Sequence, residues 1–268
     1  MNKEIRWLLK DKYNFSDIEV LKFELNKNIP FNIQQDILRL ENGEPINYII
    51  GWQDFLDCKI DLSFKPLIPR VETEYWVKNE IDKLTTKYFS TLVENYNSSI
   101  LNILDLCCGS GCIGISILKH IPYSNITFSD IDNNAINQIN FNLNLNKIDI
   151  NRYKVVKSDL FENIKGKFDI IFTNPPYVDK NDSVSDSLKF EPEIALFADN
   201  SGMEVIEKIL SSFQKYLTPD GQLFMEFGHN QAEQIKNLME KSGFKNFEFL
   251  QDQYDIGRCL KVNLSPRR

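Results

Sequence analysis

The stretch Leu104-Asp105-Leu106-Cys107-Cys108-Gly109-Ser110-Gly111-Cys112-Ile113-Gly114-Ile115-Ser116, LDLCCGSGCIGIS, joins two apolar segments through closely spaced glycines. The run ILNILDL (100–106) before it has the texture of a buried strand, and CIGISILKHI (112–121) after it reads as a helix. Glycine permits tight turns and lets a ligand approach the main chain closely. In open parallel sheets ligands bind beyond the carboxyl ends of the strands, where this loop would lie. Asp105 immediately precedes the loop, and Asp130 follows Gly109 by 21 residues. That offset suits an acid that holds ribose hydroxyls. The Gly-x-Gly pattern alone is shared with NAD enzymes, and with Gly114 the segment GSGCIG formally satisfies G-x-G-x-x-G.

Outward from the loop, strands and helices alternate. NITFSDID (125–132) reads as a strand and NNAINQINFNLNLNK (133–147) as a helix. RYKVVKSDL (152–160) and FDIIF (168–172) read as strands, GMEVIEKILSSFQKYL (202–217) as a helix, GQLFMEFG (221–228) as a strand and NQAEQIKNLMEKSG (230–243) as a helix. FKNFEFLQD (244–252) and GRCLKVNL (257–264) close the chain as two strands with no helix between them. This alternation predicts an α/β fold with a largely parallel sheet and an antiparallel edge pair. Seven strands with that ending is the Rossmann-like arrangement of class I S-adenosylmethionine (SAM) methyltransferases. Upstream, apolar spacings of three and four predict short helices from residue 1 to about 45, ended by Gly43 and Pro45. Residues 52–68 look like an extended hairpin, and Glu72 to Tyr96 is again helical. The expected organisation is a small helical domain with a hairpin linker over residues 1–75 and a methyltransferase domain over residues 76–268.

Composition narrows the function. The 268 residues carry a formal net charge of −7, with 42% hydrophobic and 26% charged residues, as in soluble globular proteins. Such a balance argues against a surface built to neutralise nucleic-acid phosphates, so no direct DNA binding is expected. No apolar run approaches a membrane span, and charges interrupt the N-terminus, so a cytoplasmic protein is expected. Five cysteines, three of them (Cys107, Cys108, Cys112) in one segment, do not resemble a disulfide framework. A structural zinc site wants four ligands at recognisable spacing, and His120 and His229 show none, so no metal is expected. No apolar stripe is left over, which makes a monomer the simpler expectation.

Asp105 and the neighbouring corner at residue 174 favour SAM over a nicotinamide cofactor. Asp105 is expected to orient the loop and meet the cationic amino-acid part of SAM, and Asp130 to hold the ribose. Ser158-Asp159-Leu160-Phe161 ends the third strand of the sheet. Asp159 either accepts from an adenine amino group, with Leu160 or Phe161 against the ring, or caps a turn.

The corner is TNPPYVD (173–179), directly after the strand FDIIF. Proline fixes its own φ, lacks an N–H, and restricts the residue before it. Asn174 is therefore held extended beside free carbonyls, and Tyr177 offers a flat face. This suits a planar –NH2 group on an sp² carbon. Its two protons go to the Asn174 side-chain carbonyl and the Pro175 main-chain carbonyl, and its plane lies on Tyr177. Catalysis is then expected from Asn174, Pro175 and Tyr177.

The NPPY corner is shared by amino-methyltransferases acting on DNA adenine, DNA cytosine and protein glutamine. Four more segments narrow the resemblance. EPINYIIGWQDF (44–55) with LIPRVETE (67–74), together with FEPEIAL (190–196) and YDIGRCLKV (254–262), resembles the HemK-type peptide chain release factor glutamine methyltransferases. The resemblance runs from about residue 44 to 262. It implies transfer of a methyl from SAM, leaving S-adenosylhomocysteine, to the N5 of the glutamine in the release factor's Gly-Gly-Gln tip. By position, Asn174, Pro175, Pro176, Tyr177 and Glu191 would bind the glutamine substrate. Asp105, Cys107, Cys108, Gly109, Ser110, Gly111, Asp130, Asp159, Leu160 and Asn174 would bind the cofactor. The helical N-terminus would help bind the release factor. Cys107 stands where the family loop usually has its first glycine, and position 160 is often aromatic in relatives. Arg70, Glu72 and Glu74 are expected to fix the linker or a loop over the cofactor, or to form structural ion pairs. Competing readings are a ribosomal-protein glutamine methyltransferase, a DNA adenine N6-methyltransferase, which would also need base flipping, and an inactive SAM-binding module.

Overall fold

The computed structural model describes residues 2–25, 29–94 and 100–264. Four helices open the chain: α1 (Lys3–Asp11), α2 (Asp17–Leu25), α3 (Phe31–Glu41) and α4 (Ile46–Ile50). α1 begins where the Asn2 side chain accepts the Glu4 N–H, satisfying one of the free donors of its first turn. α4 was not expected, because the sequence pattern stops near residue 45. Pro45 opens it, and Gly51, at φ +94°, closes it in the left-handed conformation. So short a helix does not persist unaided. Burial of Ile46, Tyr48, Ile49 and Ile50 holds it.

Strands β1 (Trp52–Phe55) and β2 (Cys58–Asp61) then form the expected antiparallel hairpin. α5 (Val71–Glu94) follows. Its expected end at Tyr96 lies outside the described residues. The anticipated boundary between residues 75 and 76 falls within this continuous helix.

The alternating part contains β3 (Leu101–Leu106), α6 (Cys112–His120), β4 (Ser124–Asp130), α7 (Asn133–Leu145), β5 (Tyr153–Lys157) and β6 (Phe168–Thr173). After the corner come two-residue strands β7 (Val178–Asp179) and β8 (Phe197–Ala198), paired in parallel and separated by α8 (Glu193–Leu196). The chain ends with α9 (Glu204–Leu210), β9 (Leu217–Glu226), α10 (Ala232–Lys241), β10 (Phe247–Gln251) and β11 (Gly257–Asn263). The helix expected over 202–217 stops at Leu210. The hydroxyls of Ser211 and Ser212 both turn back onto the Lys208 carbonyl, at 2.7 and 3.0 Å, and a 3-10 turn replaces the remaining helix.

Seven strands form one sheet in the order β10-β11-β9-β6-β3-β4-β5. β5, β4, β3, β6 and β9 run parallel, whereas β11 is antiparallel to both β9 and β10. The chain winds outward from β3 through β4 to β5, then crosses back to β6 on the other side of β3. Strand order therefore reverses between β3 and β6. That reversal leaves a crevice beyond their carboxyl ends, where ligands bind in such sheets.

Hydrophobic packing separates two regions. Helices α1 to α4 share two small clusters, one around Leu8, Ile46, Ile49 and Ile50 and one around Leu9, Val20 and Ile33. The hairpin belongs elsewhere: Phe55, Cys58 and Ile60 join Ile103, Phe128 and Phe172 in the core on one face of the sheet. α5 is anchored to that face by Trp76. Its ring stacks on Phe172, centroids 6.1 Å apart, and Phe172 stacks on Phe224 at 5.0 Å. Aromatic pairs of this kind contribute about 0.5–1.5 kcal/mol beyond their buried area. Among the described residues, no helix is long and apolar enough to cross a membrane.

Candidate active site

The crevice holds a cavity of about 210 Å³ beneath the loop that follows β3. Cys107, Gly109 and Gly111 all have positive φ, +55°, +53° and +79°. Two of these positions are glycines, for which that region carries no Cβ penalty, while Cys107 bears the penalty of a side chain. The loop turns sharply enough that Gly111 opens α6 as its N-cap. Gly114, one turn into α6, is held against the end of β3. Its N–H donates to Asp105 Oδ2 at 2.9 Å. A Cβ at 114 would stand 2.3 Å from Phe128 Cε1, so only glycine permits this approach.

Most of the expected cofactor residues converge. Cys107, Cys108, Gly109, Ser110, Asp130, Asp159, Leu160 and Asn174 all line the cavity. Asp130 Oδ2 accepts the Gly109 N–H at 2.8 Å, and its Oδ1 accepts the Asp132 N–H at 3.0 Å. A carboxylate offers about four acceptor positions, so two remain for a ligand's hydroxyls. Burial pushes the Asp130 carboxyl upward from its ordinary value. Asp105 and Gly111 are not in the cavity wall. Asp105 is only 1% exposed, its carboxyl is driven well upward by burial, and it acts on the loop through Gly114.

At the end of β5, the Ser158 hydroxyl caps the turn by accepting the Asn163 N–H at 2.9 Å. Asp159 is exposed at the cavity wall, and Leu160, at φ +44°, lines it beside. Phe161 turns away: it stacks on Tyr216, centroids 4.4 Å apart. Leu160 is therefore the apolar member of this turn that a ligand meets.

The residues fit SAM. Three carboxylates, Asp130, Asp132 and Asp159, face the cavity against the cations Arg70 and Lys208, which favours a cationic ligand. Ser129 is one of the wall residues, and its Oγ is buried with no hydrogen-bond partner among the described residues. Apolar surface from Leu106, Ile131 and Leu160 supplies the remaining wall, as a purine ring requires. The three loop thiols are pushed upward by burial, Cys112 to about 12, so none is poised as a thiolate. Among the described residues, no group of three His, Cys, Asp or Glu side chains is arranged to hold a metal ion.

A second cavity, about 150 Å³, adjoins the first. Pro175 and Tyr177 line only this one, and the glycine loop lines only the first. Asn174 lines both, so it stands where the two spaces meet. Pro176 faces the first cavity. Three side chains that the sequence pattern did not single out hold the corner. Gln231 Nε2 donates to the Tyr177 carbonyl at 2.9 Å. Thr73 lies 3.5 Å from Asn174 Nδ2, and Tyr177 OH donates to Glu226 Oε1 at 3.1 Å. The one signal for Glu226 was a lone charge in the otherwise apolar run LFMEF.

Glu191, expected at the substrate, lines neither cavity. It is buried, and its carboxylate accepts the Ile68 N–H at 2.9 Å and an Arg70 guanidinium N–H at 2.6 Å. It therefore ties the segment after the corner to the segment before α5. Glu74 does the same for the hairpin, accepting the Leu56 N–H at 2.8 Å. The C-terminal YDIGRCLKV is ordered by Asp252, which accepts the N–H groups of Tyr254 and Ile256 and pairs with Arg258 at 3.0 Å.

Comparison with known proteins agrees with this geometry. Residues 72–189 match the model of the methyltransferase small domain family. The release factor glutamine methyltransferase of Lactococcus lactis is 33% identical over 228 residues, covering 84% of this chain and 79% of that one. The ribosomal protein uL3 glutamine methyltransferase of Francisella tularensis is 35% identical over 191 residues, covering 70% and 58%. Among solved structures, the T. thermophilus 16S rRNA N2 G1207 methyltransferase, in complex with AdoMet and guanosine, shares the fold. Its TM-score is 0.54 at 15% identity, covering 79% of this chain and 49% of that one. With this sheet, this glycine loop and this degree of identity, the chain belongs to the release factor glutamine methyltransferase family.

Proposed function

We propose that this protein transfers a methyl group from SAM to the side-chain amide nitrogen of the glutamine in the Gly-Gly-Gln tip of peptide chain release factors. The observation that carries this reading is the position of Asn174 at the junction of two cavities. One has the carboxylates and apolar wall for a cationic nucleoside, and the other is lined by Pro175 and Tyr177 of the proline corner.

Bound SAM supplies a methyl on a sulfonium, an electrophile that needs no further activation. Asp130 would hold the ribose, Asp159 and Leu160 the adenine, and the loop at 107–111 the methionyl part. Asp105 serves by fixing the start of α6. In the second cavity, Asn174 Oδ1 and the Pro175 carbonyl accept the two amide protons of the substrate, with Tyr177 as flanking surface, while Pro176 faces the cofactor side. An amide nitrogen is a weak nucleophile because its lone pair is delocalised. These residues act by orientation, which is worth roughly 7–11 kcal/mol when the reacting atoms are well aligned. Proton loss accompanies or follows transfer, because no ordinary side chain deprotonates an amide efficiently.

The helical N-terminus, within residues 1–75, serves as the release-factor-binding domain in this reading, and residues 76–268 as the catalytic domain. Leu25, Phe31 and Ile18 on that region are 87%, 74% and 66% exposed, which offers apolar surface to a protein partner. We place the activity in the cytoplasm, with the protein a monomer and without direct DNA binding.

The test is methyl transfer from labelled SAM to a purified release factor, beside a copy with its Gly-Gly-Gln glutamine changed to alanine. Label on the intact factor alone is expected. Ribosomal proteins and DNA serve as parallel acceptors, and label on either in place of the factor would overturn the reading.

A further inference from the structure

Glu226 ends β9 and is 1% exposed, yet it carries a carboxylate. Its surroundings are ordered in one direction. Trp76 Nε1, which can only donate, lies 2.9 Å from Glu226 Oε2. Thr73 Oγ1 lies 2.6 Å from the same oxygen, and Tyr177 OH lies 3.1 Å from Oε1. Burial pushes the Glu226 carboxyl upward from its ordinary value, and these three hydrogen bonds act against that by presenting donors to both of its oxygens, which makes it the acceptor of the group.

A threonine hydroxyl has one proton. Thr73 commits it to Glu226, so its oxygen can only accept from any further neighbour. That neighbour is Asn174 Nδ2, 3.5 Å away. The asparagine amide therefore turns its NH2 toward Thr73, leaving Oδ1 for the cavities that Asn174 lines. A substrate amide presents two N–H donors. It needs the asparagine oxygen and would meet donor against donor if the amide were reversed. Among the described residues no other hydrogen bond to the Asn174 side chain sets this choice, since the prolines fix the backbone of 174 but leave the two ends of its side chain nearly equal in shape.

We propose that Thr73 and Glu226 are positioning residues that fix the polarity of the Asn174 amide, through a one-way chain from carboxylate to hydroxyl to amide. This deepens the glutamine-methylation reading and rests on it. The chain is built from three distant parts of the sequence, on α5, at the end of β6 and at the end of β9. α5 is held in register by the Trp76 stack on Phe172, so the same tryptophan both anchors the helix and donates to Glu226.

The experiment compares Thr73→Val, which keeps the shape and removes the hydroxyl, with Thr73→Ser, which keeps the hydroxyl. Each is assayed for kcat on a release factor and, separately, for SAM affinity by titration. Thr73→Val is expected to lower kcat at saturating SAM roughly 10-fold or more, with a wild-type circular dichroism spectrum showing an intact fold because Thr73 itself lines the SAM cavity, and Thr73→Ser to retain most of the rate. In the Asn174→Ala background, Thr73→Val is expected to cost nothing further, because there is no amide left to orient. Three results would overturn the proposal: a wild-type rate in Thr73→Val, an equal loss in Thr73→Ser, or the full loss repeated on top of Asn174→Ala. A wild-type protein that fails to label the release factor would instead remove the glutamine reading itself, and this inference with it.

Discussion

Two strand ends, 107–111 after β3 and 174–177 after β6, lie side by side on neighbouring strands and are built in opposite ways. The first is a loop turned by three positive-φ residues, Cys107, Gly109 and Gly111. Its stabilising contacts come from the continuous stretch β3 to α7, as with Asp105 to Gly114, Asp130 to Gly109 and the Asn142 amide donating to the Ser110 carbonyl. The second is locked by prolines and offers a side-chain oxygen and a carbonyl. Its supports, Thr73, Gln231 and Glu226, come from far along the chain. A site that grips a cofactor can be assembled from one local unit. A site that must present one end of an amide needs groups that only the assembled fold brings in.

If this contrast holds, damage at the corner should affect chemistry and damage at the loop should affect binding. The largest effect is expected from Asn174→Ala. Its kcat should drop about 10²–10³-fold, the scale seen when one preorganised hydrogen-bonding group is lost. SAM titration should give an affinity close to wild type, and a large loss of affinity would erase the distinction between the two ends. Next is Asp130→Ala, expected to weaken SAM binding by about 1.5–3 kcal/mol, the range for hydrogen bonds to a charged group. Calorimetric titration measures it, and an unaltered isotherm would show that the ribose contact is wrongly assigned.

A pH experiment sharpens the loop side. Burial raises the Asp105 carboxyl well above 3.8, so its favourable contribution is complete below that value and is lost as pH rises through the raised one. Asp105→Asn keeps an oxygen for the Gly114 N–H and removes the buried charge. The ligand-free variant should therefore gain stability over wild type near pH 7.5 and gain less near pH 4.5, read as the difference in denaturation midpoints. A gain independent of pH would show that burial of this carboxylate is not what it relieves. The smallest effect is expected from Cys107→Gly. It removes left-handed strain of about 1–2 kcal/mol and adds a glycine entropy cost of about 0.5–1 kcal/mol. The net is a stabilisation of about 0–1.5 kcal/mol, with SAM affinity equal or higher in the widened loop. Destabilisation in a denaturant titration would show that the Cys107 side chain contributes packing that outweighs its backbone.

The parts of this protein that sequence reading found are those written in consecutive residues. Strand and helix alternation from residue 100 onward follows from apolar periodicity, and the structure places the seven strands in the expected mixed sheet. The glycine loop, the acid 21 positions beyond it and the proline corner are local because each depends on what the backbone of a few neighbours permits. Errors arose where tertiary contacts overrode local pattern. Burial makes a helix of Ile46–Ile50, and two serines truncate the helix expected over 202–217. Phe161, a natural candidate for a purine, is claimed by Tyr216, and Glu191 is claimed by Ile68 and Arg70.

By itself, then, the sequence determined the sheet, the loop and the corner. Only the tertiary structure decided which atoms face the cavities. Thr73 stands 101 positions from Asn174 and 153 from Glu226, separations over which periodicity and propensity carry no information. Hydrogen-bond direction is a property of the assembled chain of donors and acceptors. It exists only once the sheet and α5 have brought those groups within reach of one another.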